Sequence, residues 1–173
     1  MIFLGNKYVY MKEKIRKLTI DRLGYYYVNL SKDGYTNMKR IQKIPTRTDY
    51  EDELWRVFSL FIRQRDSQDG FGRCISCGRM IHWRDGDCGH YYSRRHKCTK
   101  YDERNNNLQC KHCNIWNQGN AQGYMIGLKQ KYGEGILEEL ELKKSGTCKY
   151  SIGDLKLLIA YYKSKLKENG WEL

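Results

Sequence analysis

The sequence predicts an α+β fold, a small finger of two strands and a helix, flanked by further helices and preceded by a basic extension. Three observations predict it. Two Cys-x-x-Cys knuckles, Cys74/Cys77 and Cys110/Cys113, bracket a stretch that holds all four histidines of the chain. Within that stretch, two short runs of strand character flank an Asp85-Gly86 turn dipeptide. On either side, apolar residues recur at helical spacing.

Residues 1–47 read as a basic extension in which Lys7, Lys12, Lys14, Arg16, Lys17, Arg22, Lys32, Lys39, Arg40, Lys43 and Arg47 face only Glu13, Asp21 and Asp33. Tyr25 to Leu30, followed by the turn residues Ser31-Lys32-Asp33-Gly34, predict a short hairpin; a solvated arm that orders on binding is the alternative. The opening Met1 to Gly5 is broken at once by Asn6 and Lys7, so it does not read as a signal peptide. Pro45 marks a boundary.

Residues 48–68 hold the next element. From Thr48 or Asp49 as N-cap, Leu54, Val57, Phe58, Phe61 and Ile62 predict an amphipathic helix over residues 49–65. The finger should occupy residues 69–133, with strands near Met80 to Trp83 and Cys88 to Tyr92, a basic loop from Ser93 to Lys97, and a helix from Asn114 or Asn120 to Tyr132, closed by Gly133. Residues 134–173 read as two more helices, over 134–145 and 152–168, the second opened by the capping pair Ser151 and Asp154.

Charge narrows the partner. The net charge of +12, from 32 Lys plus Arg against 20 Asp plus Glu, suits a polyphosphate such as DNA. Nothing in the chain has the length and apolarity of a membrane span, so a membrane partner is excluded and a reducing cytoplasm is expected. Its seven cysteines then read as metal ligands and free thiols rather than disulfides. Cys88, Cys98 and Cys148 are expected to be ordinary thiols.

Four thiolates in two knuckles are the tetrahedral set of a structural Zn2+, which assigns that metal to Cys74, Cys77, Cys110 and Cys113. A redox pair is the weaker reading, since no thioredoxin-like βαβ pattern surrounds either knuckle. His90, at a strand end, is the candidate general base, because an imidazole can take a proton near neutral pH. Asp87, Asn114 and Asn120 have side chains suited to a catalytic divalent cation, Mg2+ or Mn2+, that would neutralise a scissile phosphate. Arg94, Arg95, His96, Lys97 and Lys100 follow the base and could grip flanking phosphates; a solvated charged loop is the bland alternative. Tyr91, Tyr92 and Trp83 read as core rather than as stacking residues.

A longer pattern runs through the same region. It comprises Leu54-Trp55, Phe58-Ser59, Ile62-Arg63 and Arg65-Asp66, then Cys74-Ile75-Ser76-Cys77-Gly78 and Asp87-Cys88-Gly89-His90-Tyr91. It continues with Tyr101-Asp102-Glu103-Arg104-Asn105, Gln109-Cys110, Cys113-Asn114, Gly119-Asn120, Tyr124, Gly127-Leu128 and Tyr132-Gly133. Over residues 53–142 this resembles the NinG (Rap) recombination proteins of lambdoid phages, within the HNH or His-Me finger nucleases. The resemblance implies a treble-clef-like ββα-metal finger with His90 as base and Asn105 as the middle asparagine that braces the catalytic loop. It also implies metal binding at Asn114, with Asn120 as the second candidate. One departure stands out: Gly89 occupies the place where many relatives carry a metal-binding aspartate, and Asp87 is the candidate substitute.

The activity so implied is structure-specific DNA cleavage of four-way junctions and displacement loops, by a phage or prophage protein in a bacterial host, alongside other recombination proteins. The two-fold symmetry of a junction makes a homodimer attractive. Two alternatives remain: a non-catalytic zinc-built nucleic-acid binder, and a sequence-reading endonuclease of restriction or homing type.

Overall fold

A computed structural model describes residues 45–171 in full and, before them, the backbone of five short strands. The chain divides into two compact units, residues 1–46 and 47–173. In the first, β1 (Ile2–Leu4) pairs antiparallel with β2 (Lys7–Val9). A separate antiparallel sheet has the order β3 (Lys17–Ile20), β4 (Tyr26–Asn29), β5 (Met38–Ile41). The tyrosine-rich run thus contains a central strand, and the expected turn at residues 31–34 lies outside the described residues.

The second unit opens with α1 (Arg47–Arg65), two residues ahead of the position expected from Asp49. Leu54, Val57, Phe58, Phe61 and Ile62 fall on one helical face and are buried. That face meets α5 (Ile152–Glu168), which contributes Leu155, Ile159, Tyr162 and Leu166. Tyr162 is the hub, with ring centroids 5.0 Å from Phe58 and 5.1 Å from Phe61. Each such apolar side chain contributes about 1.5–3 kcal/mol on burial. The start of α5 is fixed by a complete capping box: the Ser151 hydroxyl accepts from Asp154 N, and the Asp154 carboxylate accepts from Ser151 N.

The strands depart from the expected hairpin. β6 (Ser67–Gln68), β7 (Phe71–Arg73) and β8 (Met80–His82) form one small sheet. β9 (Gly86–His90) instead pairs antiparallel with β10 (Asn106–Cys110), so the strands before and after Asp85-Gly86 belong to different sheets. The physical reason is local: Gly86 does not adopt the positive φ that a tight Asp-Gly hairpin turn needs and instead opens β9, while the turn lies over His82 to Asp85, closed by Asp85 N donating to His82 O at 2.9 Å. Between β9 and β10 lies a loop that carries the short α2 (Lys97–Lys100). A π-helical turn (His112–Trp116) follows β10, then α3 (Ala121–Tyr132), closed by Gly133 at φ 96°, and α4 (Ile136–Lys144). Among the described residues no helix is long and apolar enough to cross a membrane.

Cys98 and Cys148 are joined in a disulfide, which corrects their reading as free thiols. Burial of Cys98 on α2 sets it against the segment after α4, a proximity across 50 residues of chain that no local spacing reveals. Cys148→Ser is expected to lower unfolding stability by about 2–4 kcal/mol in non-reducing buffer. In the presence of dithiothreitol the two proteins should unfold alike, which urea titration in both buffers checks.

Candidate metal cluster and cleft

Cys74, Cys77, Cys110 and Cys113 converge, all four Sγ atoms lying within 4.8 Å of one another. Cys74 and Cys77 close the turn between β7 and β8, while Cys110 ends β10 and Cys113 sits in the π-helical turn. A tetrahedron with metal–sulfur bonds of about 2.3 Å has edges of about 3.8 Å. The Cys77 and Cys110 sulfurs are 3.8 Å apart, so the set can hold a structural metal such as zinc. Backbone N–H groups reinforce it, Cys110 N donating to Cys74 Sγ at 3.3 Å and Cys113 N to Cys110 Sγ at 3.4 Å. His112, on the same turn, is exposed and outside the cluster.

Asn120, the second candidate for a catalytic cation, lies against this cluster and does not line the cavity that holds Asp87 and Asn114. Its Oδ1 caps α3 by accepting from Gly123 N, and its Nδ2 donates to Cys113 Sγ at 3.5 Å. Both ends of the amide are thus used beside a cysteine sulfur of the cluster, in the manner of groups that orient metal ligands from behind.

Asp87, His90 and Asn114 are gathered on a different cavity, of about 480 Å³, with Arg63, Arg84 and Lys111 also on its wall. Asn114 Nδ2 donates to Asp87 Oδ2 at 2.9 Å. Arg94 closes the side and lies over the Trp55 ring at 4.6 Å. His90 is also on the wall of an adjoining cavity of about 360 Å³, lined by Ser93, Arg94, Arg95 and Lys100. His96 and Lys97 are exposed on the same loop but line neither cavity. Lys100 is partly engaged, its Nζ 3.6 Å from Glu51. Burial lowers the His90 pKa and the nearby Arg94 charge adds to this, so its imidazole is neutral at physiological pH.

The packing also accounts for Gly89. A Cβ there would lie 2.2 Å from Gln109 Oε1, and Gln109 is held by bonds from its Nε2 to Ser76 Oγ and Gly119 O, both 2.7 Å. No aspartate fits at that position without displacing this buried amide. Asp87, two residues back, is the carboxylate that reaches the cleft.

Behind the cleft, Asn105 is fully buried and clamps the ends of the β9–β10 loop. Its Oδ1 accepts from Tyr92 N at 2.8 Å, and its Nδ2 donates to Tyr92 O and Thr99 O at 3.0 and 3.1 Å. The Tyr124 hydroxyl lies 3.0 Å from Gly89 O and 3.2 Å from Asn105 O, tying the end of β9 to the start of β10. Of the run Asn105-Asn106-Asn107, the sequence assigns a role to the first alone. Asn106 Nδ2 donates to Asp102 O at 2.7 Å, and Asn107 accepts from Lys131 and Tyr132 at 2.8 and 3.0 Å. Three carboxamides in a row, Asn105 just before β10 and Asn106 and Asn107 opening it, were the available signal. Trp83, Tyr91 and Tyr92 are engaged within the fold: Arg63 and Arg84 flank Trp83, Tyr91 packs on Tyr92, and the Tyr92 hydroxyl donates to Glu141.

A buried ion group supports this layer. Asp66 accepts from Arg65 at 2.8 Å, Lys131 at 2.6 Å and Leu108 N at 2.9 Å. Burial pushes its carboxyl up, but the Arg65 hydrogen bond and the Arg65 and Lys131 charges outweigh that, so it ionises below the ordinary value of 3.8. Its stabilisation is present above that value and is lost as pH falls through the lower folded pKa. Asp66→Ala removes the carboxylate that Arg65 and Lys131 share, leaving Arg65 only the more distant Glu103 at 3.8 Å, and is expected to cost about 3–5 kcal/mol in urea unfolding. An unchanged midpoint would contradict this.

Comparisons with known proteins place these motifs in one context. The family model described as "Bacteriophage Lambda NinG protein" matches residues 11–172. Protein ninG of Escherichia phage 933W is 32% identical over 116 residues, covering 65% of this chain and 54% of that protein. Protein ninG of Escherichia phage lambda matches at 32% over 65% of this chain and 53% of its own length, and that of Salmonella phage P22 at 32% over 65% and 54%. The chain spans about half the length of these relatives. No solved structure matches it.

Proposed function

Because the chain belongs to the bacteriophage lambda NinG family, we propose that its cleft is the centre of a metal-dependent HNH-type endonuclease that cuts branched DNA. The observation that carries the reading is the convergence of Asp87, His90 and Asn114 on one basic cavity beside a separate four-cysteine cluster. The order β9, β10, α3 is then the ββα-metal finger, with His90 at the end of its first strand and Asn105 closing the loop between the strands.

The oxygen donors fit a hard divalent cation: the Asp87 carboxylate and the Asn114 carboxamide oxygen on a half-buried wall, with the His90 imidazole beside them left free to act as base. Asp87 and Asn114 would hold Mg2+ or Mn2+, which when bound supplies charge neutralisation at the scissile phosphate and at the leaving oxygen. His90, kept neutral by burial and by Arg94, takes a proton from water as the water oxygen attacks phosphorus. The P–O bond opposite breaks, and the departing oxygen takes a proton from solvent. Asn105 acts as a positioning residue, since its clamp on Tyr92 and Thr99 fixes the backbone that follows His90. Arg63, Arg94 and Arg95 hold the backbone phosphates, contacts that carry affinity without sequence information.

A labelled four-way junction and a linear duplex of the same sequence, each incubated with Mg2+ or Mn2+ and with chelator, test the reading. Metal-dependent cutting of the junction in preference to the duplex is expected. Equal cutting of both would replace it with a general or sequence-reading nuclease, and binding without cutting would leave a zinc-built DNA binder.

A further inference from the structure

Beside the cleft the structure displays a feature that the hydrolytic chemistry does not use. The π-helical turn ends in Ile115 and Trp116, which are 59% and 80% exposed. Isolated exposed apolar residues are ordinary. These two are adjacent, and Ile115 lies on the wall of the same cavity as Asp87 and His90.

The turn that carries them is rigidly mounted. Its base, Cys113, is 1% exposed and belongs to the cysteine cluster. The chain returns through three consecutive left-handed residues, Gln118, Gly119 and Asn120 at φ 45°, 87° and 44°. Gly119 N donates to Cys113 O at 2.9 Å and Asn117 N to His112 O at 2.8 Å. Asn120 then locks back onto Cys113 Sγ. A tryptophan held out on so constrained a support loses little conformational entropy on meeting a flat partner.

Charge says what the partner is. No Asp or Glu occurs from Arg104 to Gly133, a stretch that includes Lys111, Lys129 and Lys131. An apolar knob on an acid-free, amide-rich stretch of chain, beside a cleft in which Arg63, Arg84, Arg94 and Lys111 outnumber the one carboxylate, Asp87, suits a nucleobase on a polyanionic backbone. We infer that Trp116, supported by Ile115, is a stacking site for a base freed from its neighbours at a DNA branch point, and so sets the preference for branched over linear DNA. This rests on the nucleic-acid reading above and adds to it a residue of specificity.

The test uses the full-length zinc-loaded protein with no Mg2+ or Mn2+ added, so that binding is read without cutting. Four-way junctions carry 2-aminopurine next to the branch, and the wild type, Trp116→Phe and Trp116→Ala are compared, with zinc content and far-ultraviolet circular dichroism confirming folding. Trp116→Ala is expected to bind the junction about 10- to 100-fold more weakly. It should leave linear-duplex binding unchanged and abolish the 2-aminopurine quench, while Trp116→Phe retains both. Wild-type junction preference that persists in Trp116→Ala overturns the inference and leaves the endonuclease reading intact. A change in oligomeric state in Trp116→Ala, with junction binding kept, assigns the knob to protein contact and overturns it equally. Wild-type protein that binds neither DNA removes the nucleic-acid reading and this inference with it.

Discussion

Cys110→Ser is expected to abolish cooperative folding of residues 47–171, and prolonged chelation of the wild type should do the same. Cys110 joins the end of β10 to the π-helical turn, and its sulfur is 3.8 Å from that of Cys77 across the cluster. The cluster therefore links the β7–β8 turn to the strand that pairs with β9 and to the cap of α3. A structural zinc contributes roughly 10–16 kcal/mol of apparent binding free energy, which is comparable to the whole stability of a domain, about 5–15 kcal/mol. Burial pushes the Cys113 thiol up to about 12, so ionisation of that thiol needs the charge of a bound metal. Metal uptake should accordingly release protons and weaken as pH falls. Thermal melts followed by circular dichroism, with metal content measured on the same samples, check this. A sharp native-like transition in metal-free Cys110→Ser would contradict it.

His90→Ala is expected to lower the cleavage rate by about 10²- to 10⁴-fold, the usual contribution of a positioned general base. DNA affinity should be nearly unchanged, because the proposed function gives the phosphate contacts to the arginines of the cleft and not to His90. The pH dependence follows from the environment of the imidazole. Its folded pKa lies below the ordinary 6.5, first through burial and then through Arg94, so the neutral base persists to lower pH than an exposed histidine allows. Wild-type rate should rise with pH through that lowered value and be level by neutrality. Arg94→Ala removes one repelling charge and should move the rise to higher pH. An acid limb above the ordinary histidine range would contradict the assignment.

The helices were largely legible in the sequence, and the sheet pairings were not. The apolar face of α1 and the Ser151/Asp154 box of α5 are local patterns, read from spacing alone. Strand pairing is not local here. β9 reaches across the loop that carries α2 to find β10, and the nearer β8 turns back to β7, so the Asp85-Gly86 cue pointed to the wrong partner. The four cysteines were legible because metal knuckles have a fixed short spacing, whereas the Cys98–Cys148 bridge depends on tertiary approach. Within the cleft, residue type and the family pattern together indicated Asp87, His90 and Asn114. They favoured Asn114 over Asn120 only slightly, because which amide faces Asp87 and which faces Cys113 is a property of the fold. Trp116 carried no signal, since exposure of a tryptophan is a property of the fold.

The central claim is that the cleft around His90 breaks phosphodiester bonds. Its most direct test is the single-turnover cleavage rate of a labelled four-way junction by wild type and His90→Ala in Mn2+, with junction binding recorded in parallel. Mn2+-dependent cutting by the wild type, lost in His90→Ala while binding persists, is the predicted result. Cutting by His90→Ala at the wild-type rate, or no cutting by either protein under bound, metal-replete conditions, would contradict it.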